Sequence, residues 1–99
     1  MGNLRQWAEE LAGDEPILAV VTNGEFTHLP AGKVFQWDAV KTRLGEDFDD
    51  GYGGHNCDGI WAYTPMRVIA IGVYDGATWP YAIPRNPTEG ITPTIEGGE

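Results

Sequence analysis

Hydrophobic spacing divides the chain into stretches of different period. Leu4, Trp7, Ala8 and Leu11 recur at helical intervals, giving an apolar face to a first helix of about ten residues. Asn3 is placed to cap its start and Gly13 to end it. After the Asp14-Glu15-Pro16 break, residues 17–22 are β-branched and apolar, which predicts a strand. Asn23-Gly24 suits a type I′ turn, because both positions of that turn take positive φ. Residues 25–29 are therefore expected to return as the second strand of a hairpin, with Val21 facing Phe26 and Ala19 facing His28. Pro30-Ala31-Gly32 breaks the chain again. Val34 and Phe35 then lead into a second helical stretch, in which Trp37, Val40 and Leu44 share a face and Gly45 is the stop.

Residues 46–59 show no period. They hold five acids and four glycines, and read as a long loop. From Ile60 the period becomes two. Residues 60–63, 67–74 and 79–83 are expected to form a three-stranded antiparallel meander, turning at Pro65-Met66 and Asp75-Gly76. With two-residue turns, Gly72 faces Trp79, Ala70 faces Tyr81, Val68 faces Ile83, and Tyr63 and Trp61 face Val68 and Ala70. Alternation then puts Trp61, Tyr63, Val68, Ala70, Gly72, Tyr74, Trp79, Tyr81 and Ile83 on one side. Ile60, Ala62, Ile69, Ile71, Val73, Thr78 and Ala82 fall on the other, an aliphatic core face. The ring-bearing side has two readings: a second core layer, with one helix on each face of the sheet, or an aromatic surface open to a partner or to a second copy. A slip of one residue in either turn would exchange the faces.

The predicted fold class is α+β: two helices, an N-terminal β-hairpin and a C-terminal three-stranded meander in a mostly antiparallel sheet. Residues 1–88 are expected to make one domain, with residues 89–99 a flexible tail rich in proline and glycine. Fifteen acids against six bases give 99 residues a formal charge of −9. That field repels phosphate backbones and anionic lipid, so direct nucleic-acid and membrane binding are disfavoured and a protein with a basic surface is the favoured partner. The start lacks a signal-peptide pattern and the longest apolar run, residues 17–21, is far short of a membrane span, so a cytoplasmic location is expected.

Candidate chemistry is sparse. Cys57, the one cysteine, stands near His55 and Asp58 in a glycine-rich loop. A thiol nucleophile needs a base and an orienting group converging from separate elements, which near neighbours in sequence seldom provide, so a cysteine enzyme is disfavoured. Cys57 reads instead as a small hydrophobe. Against a calcium-loop template, Asp47 and Asp49 fit the first positions, but Gly51 stands where a ligand belongs and Tyr52 where glycine is required, so the template fails. No Gly-Lys-Ser/Thr follows the glycines, and the acids before them oppose phosphate. Neither cofactor nor metal is expected. The run Glu46, Asp47, Phe48, Asp49, Asp50, with Tyr52 beyond it, reads either as a solubilising surface or as carboxylates offered to a basic groove, with Phe48 as an apolar anchor among them.

The strings Asp50-Gly51-Tyr52-Gly53-Gly54, Trp61-Ala62-Tyr63-Thr64, Tyr74-Asp75-Gly76-Ala77-Thr78 and Pro84-Arg85-Asn86-Pro87 resemble small accessory proteins encoded by bacteriophages of actinobacteria. The resemblance covers the C-terminal half and carries over no catalytic residue. It implies a small acidic product that binds and inhibits a host protein in the host cytoplasm. The expected contact residues are the acidic run with Tyr52 and the rings of Trp61, Tyr63, Trp79 and Tyr81. An immunity or antitoxin protein that neutralises a toxin, and a homo-oligomer packed through the aromatic face, are the alternatives.

Overall fold

Asn3 caps the first helix by accepting the Gln6 N–H on its side-chain oxygen at 3.0 Å. In the computed structural model, which describes residues 1–51, 53–74 and 76–86, that helix, α1, spans Leu4–Ala12. Leu4, Ala8 and Ala12 form its buried stripe, and Gly13 ends it at φ +62°. The last carbonyls, of Leu11 and Ala12, accept the Arg67 guanidinium at 2.7 and 3.2 Å, which satisfies orphan acceptors and sets a positive charge at the negative end of the helix dipole. A two-residue strand before it, β1 (Gly2–Asn3), pairs antiparallel with β4 (Asp47–Phe48).

The main sheet is antiparallel, with strand order β3-β2-β5-β6-β7. Its strands are β2 (Ala19–Thr22), β3 (Phe35–Gln36), β5 (Ile60–Tyr63), β6 (Arg67–Tyr74) and β7 (Ala77–Pro84). The meander keeps the expected register: Tyr63 faces Val68, Ala70 faces Tyr81 and Gly72 faces Trp79. Pro65-Met66 turns between Thr64 and Arg67, whose N–H and C=O both bond Thr64. The Glu15 carboxylate receives the Thr64 hydroxyl and the Met66 N–H, tying this turn to the end of α1. On the outer edge of β7, the Thr78 N–H donates to the Asp50 carbonyl at 3.0 Å and Pro80 has no N–H to offer, so the first half of this edge is a poor template for a further strand.

Both helical segments lie on one side of this sheet. The second, α2, is a single turn, Trp37–Val40, which continues through Lys41 and Thr42 into a 3₁₀ turn at Arg43–Gly45. Trp37, Val40 and Leu44 face the core as their spacing predicts, and join Leu4, Ala8, Ala12, Val20, Ile60, Ala62 and Ile69 in one buried cluster. Val34 does not enter the helix and is exposed, and Phe35 is the start of β3. Of the two readings of the ring-bearing side, one helix on each face does not hold: among the described residues both helical segments cover the aliphatic face and neither covers the aromatic one. Ala82 departs from the core set and is exposed. No helix among the described residues is long and apolar enough to cross a membrane. Tyr52, Asp75 and the expected tail 89–99 lie outside the described residues.

The N-terminal hairpin is present, but its return strand is Phe35–Gln36, facing Val20 and Ala19, and not residues 25–29. Its tip is a long excursion. Gly24 takes φ +66°, where a Cβ would lie 2.1 Å from the Leu29 carbonyl oxygen, whereas Asn23 does not take the positive φ that a type I′ turn requires. His28 instead adopts φ +63°. The cause is Asp58. Its fully buried carboxylate accepts the Phe26 N–H at 2.6 Å, the Thr27 N–H at 2.9 Å, the Thr22 hydroxyl at 3.0 Å and the Thr27 hydroxyl. Asn23 adds a second clamp, its side-chain oxygen taking the N–H groups of Glu25 and Gly59 at 3.1 Å each. Donors that a strand would have spent on β2 are turned toward one carboxylate.

Burial pushes the Asp58 carboxyl upward, but the Thr27, Phe26 and Thr22 donors outweigh it and hold its pKa below the ordinary 3.8. Its contribution to stability is therefore complete above that value and is lost as pH falls through the lowered folded-state value. Asp58→Asn is expected to reduce the urea unfolding free energy at neutral pH by about 3 kcal/mol, since it leaves buried donors without a charged acceptor. The same variant should lose less stability than the parent on acidification below about pH 4, where the parent carboxylate titrates. Equal stability of the two proteins at neutral pH would contradict the clamp.

Candidate functional site

The outward positions of the sheet align in rows across the strands. Ala19, Tyr63, Val68 and Ile83 make one row. Val21 faces Trp61 and Ala70 faces Tyr81, and the β5–β6 register carried one step on sets Trp61 beside Ala70, making a second. Gly72 and Trp79 begin a third. None of these residues carries a charge, on a chain whose net charge is −9. Trp61 is 57 % exposed and Ile83 48 %, while Tyr63, Trp79 and Tyr81 are half-buried.

Small residues on β6 let the flanking rings lie low. A Cβ on Gly72 would meet the Trp79 indole at 3.3 Å and the Tyr81 ring at 3.4 Å, so these rings rest on the Gly72 backbone. They cover Gly72, which is buried, as is the neighbouring Ala70. Trp61 has no such cover. A groove of about 440 Å³ opens beside it, walled by Val21, Tyr81 and the Ala31–Gly32 segment and floored in part by Ala70. That segment is held in place by the Gly32 N–H, which donates to the Thr22 carbonyl at 3.0 Å. At the other end of the face the Arg85 guanidinium lies over the Tyr63 ring, 5.6 Å from its centroid, while bonding the Thr64 carbonyl at 2.8 Å.

The acidic run starts beside the hairpin tip and the N-terminus, where Asp47 and Phe48 pair with Asn3 and Gly2, and reaches β7 only at Asp50. Glu46, Asp47 and Asp49 are exposed. Asp47 accepts from the Asn3 amide at 2.9 Å, and Asp49 from the Gly51 N–H at 3.0 Å. Asp50 comes closest to the rings, because its carbonyl bonds Thr78, the residue before Trp79. Phe48 is not the free anchor that the sequence suggested. Its ring meets Trp7 edge-on at 5.3 Å and packs over Gly2, where a Cβ would be 2.6 Å away, so the apolar residue in the run is used to fold the chain.

Cys57 is buried, and desolvation, followed by the nearby Asp58 and Glu25 charges, pushes its thiol up to about 12. His55 turns to Glu25, 3.0 Å away, and stacks edge-on against Phe26, so it fastens the glycine-rich loop to the hairpin tip. The sequence reading placed the aromatic rows correctly because alternation determines them. It missed Asp58 as a structural hub, for which the nearest signal is a lone acid beside the core residues Cys57 and Ile60. Compared with protein-family models, curated proteins and solved structures, the chain matches none.

Two measurements separate the structural rings from the available ones. Phe48→Ala should lower the unfolding free energy by about 2–3 kcal/mol, whereas Trp61→Ala should change it by less than about 1 kcal/mol. Equal costs in urea titration would place Trp61 in the core. Cys57 should react with a thiol reagent near neutral pH only as fast as the chain unfolds, and reaction on mixing would show an open, ionised thiolate.

Proposed function

We propose that this is a non-enzymatic binding protein that docks on a basic host protein through the uncovered sheet face. The observation that carries the reading is Trp61, 57 % exposed at the centre of an aromatic face that neither helix covers. Tryptophan and tyrosine on a rigid sheet are the residues that concentrate binding energy at interfaces. Trp61, Tyr63, Trp79 and Tyr81 supply the contact, and the carboxylates of Glu46, Asp47, Asp49 and Asp50, of which Asp50 lies beside β7, steer a cationic partner and speed its association. Inhibition follows from occupancy, as a partner groove filled by this face is closed to its own ligand. The likeness of the C-terminal half to accessory proteins of actinobacterial phages supports a host protein as the target and the host cytoplasm as the place of action.

The test is capture from an actinobacterial lysate by immobilised wild-type and Trp61→Ala protein. The wild type should retain a stoichiometric protein at about 50 mM salt and release part of it at about 500 mM, as a steered, charge-assisted contact does. The Trp61→Ala protein should retain far less at both. Equal capture by the two proteins would contradict the assignment of the face. Because the paired sheet residues of this face are uncharged, with the Arg85 guanidinium at one end, two copies could also stack on it. Light scattering decides between these occupants: the host-binding reading expects a mass of 10.8 kDa, and a doubled mass abolished by Trp61→Ala would assign the face to self-association.

A further inference from the structure

From the row Val21, Trp61, Ala70, Tyr81 we infer that the groove between Trp61 and Tyr81 is a receptor for an arginine side chain presented by the partner. This rests on the binding reading above and specifies what the face recognises. Trp61 on β5 and Tyr81 on β7 both line the groove, with Ala70 between them in the row. A planar cation seated in it can lie against a ring face, where cation–π attraction acts within roughly 6 Å of the ring centroid.

Three observations select a guanidinium. First, the same face already holds one, since Arg85 lies over Tyr63, two residues along β5 from Trp61. Second, none of the chain's own six lysines and arginines lines the groove. Arg5 pairs with Glu9, Lys41 with Asp38 and Lys33 covers Phe35. Arg43 bonds the Thr27 carbonyl, Arg67 ends α1 and Arg85 holds Thr64. Third, the net charge of −9 favours a cation at an uncharged groove over a neutral apolar guest of the same size. Between the two basic side chains, arginine is the flatter and the more weakly hydrated, and it stacks on rings where lysine keeps its water.

The probe is a capped hexa-arginine peptide, titrated into the full chain at about 150 mM salt and followed by the Trp61 indole N–H resonance. Hexalysine and hexacitrulline serve as comparisons, the second having nearly the shape of arginine without its charge. Hexa-arginine should move the Trp61 signal and bind about fivefold or more tightly than either comparison. Trp61→Ala and Tyr81→Ala should each remove that preference, while Tyr81→Phe, which keeps the ring, should retain it. Urea titration of each variant establishes that it is folded. Equal affinity for arginine and lysine peptides, unchanged in Trp61→Ala, would show attraction to the acidic surface alone and overturn the receptor. Equal affinity for citrulline would overturn the role of the charge. If either occurs while host capture still depends on Trp61, the docking face stands and the arginine assignment falls. If capture also ignores Trp61, both fall.

Discussion

A buried carboxylate without a buried cation organises this molecule. Taking the Asp58 charge out of water is costly by itself, and the cost is met only because two backbone N–H groups and two hydroxyls converge on it. All four donors come from residues 22–27, so the entry to β5 and the hairpin tip form one unit. The consequence reaches the surface. A chain diverted around Asp58 pairs late, at Phe35–Gln36, and on the way lays Ala31 and Gly32 along the side of the groove beside Trp61. The clamp that completes the fold also shapes the face proposed to bind.

Coverage of the sheet is one-sided for a related reason. Arg67 and Glu15, partners at 3.7 Å, fasten the C-terminal end of α1 to the β5–β6 turn, and the apolar stripes of both helices point into the same cluster. With the helices so placed, the opposite face carries the rings of Trp61, Tyr63, Trp79 and Tyr81 around the small Ala70 and Gly72. Net charge and face composition then act at different ranges: the carboxylates act over several ångströms of water, and the rings only on contact.

Where one local rule decides the structure, the sequence was legible. Alternation from Ile60 to Ile83, with two short turns, placed every row of the meander, and Asn3 and Gly13 marked the ends of α1. Where a distant residue competes, local rules failed. Asn23-Gly24 is a strong hairpin signal, yet Asp58 lies more than thirty residues away and outbids the ladder for the same N–H groups. Phe48 stands among acids and looks exposed, but its environment is set by Trp7 and Gly2 at the other end of the sequence. The second helix was readable as a face, through Trp37, Val40 and Leu44, and not as a length, since β3 claims Phe35.

Docking depends on an aromatic face that the described helices leave open to water. A gadolinium cosolute that broadens solvent-accessible resonances, added to the protein, reads this directly from the four indole N–H signals. Trp61 should broaden most and Trp37, 5 % exposed in the core, least. Protection of Trp61 equal to that of Trp37 would mean that the face is covered, and the proposed docking surface would not exist.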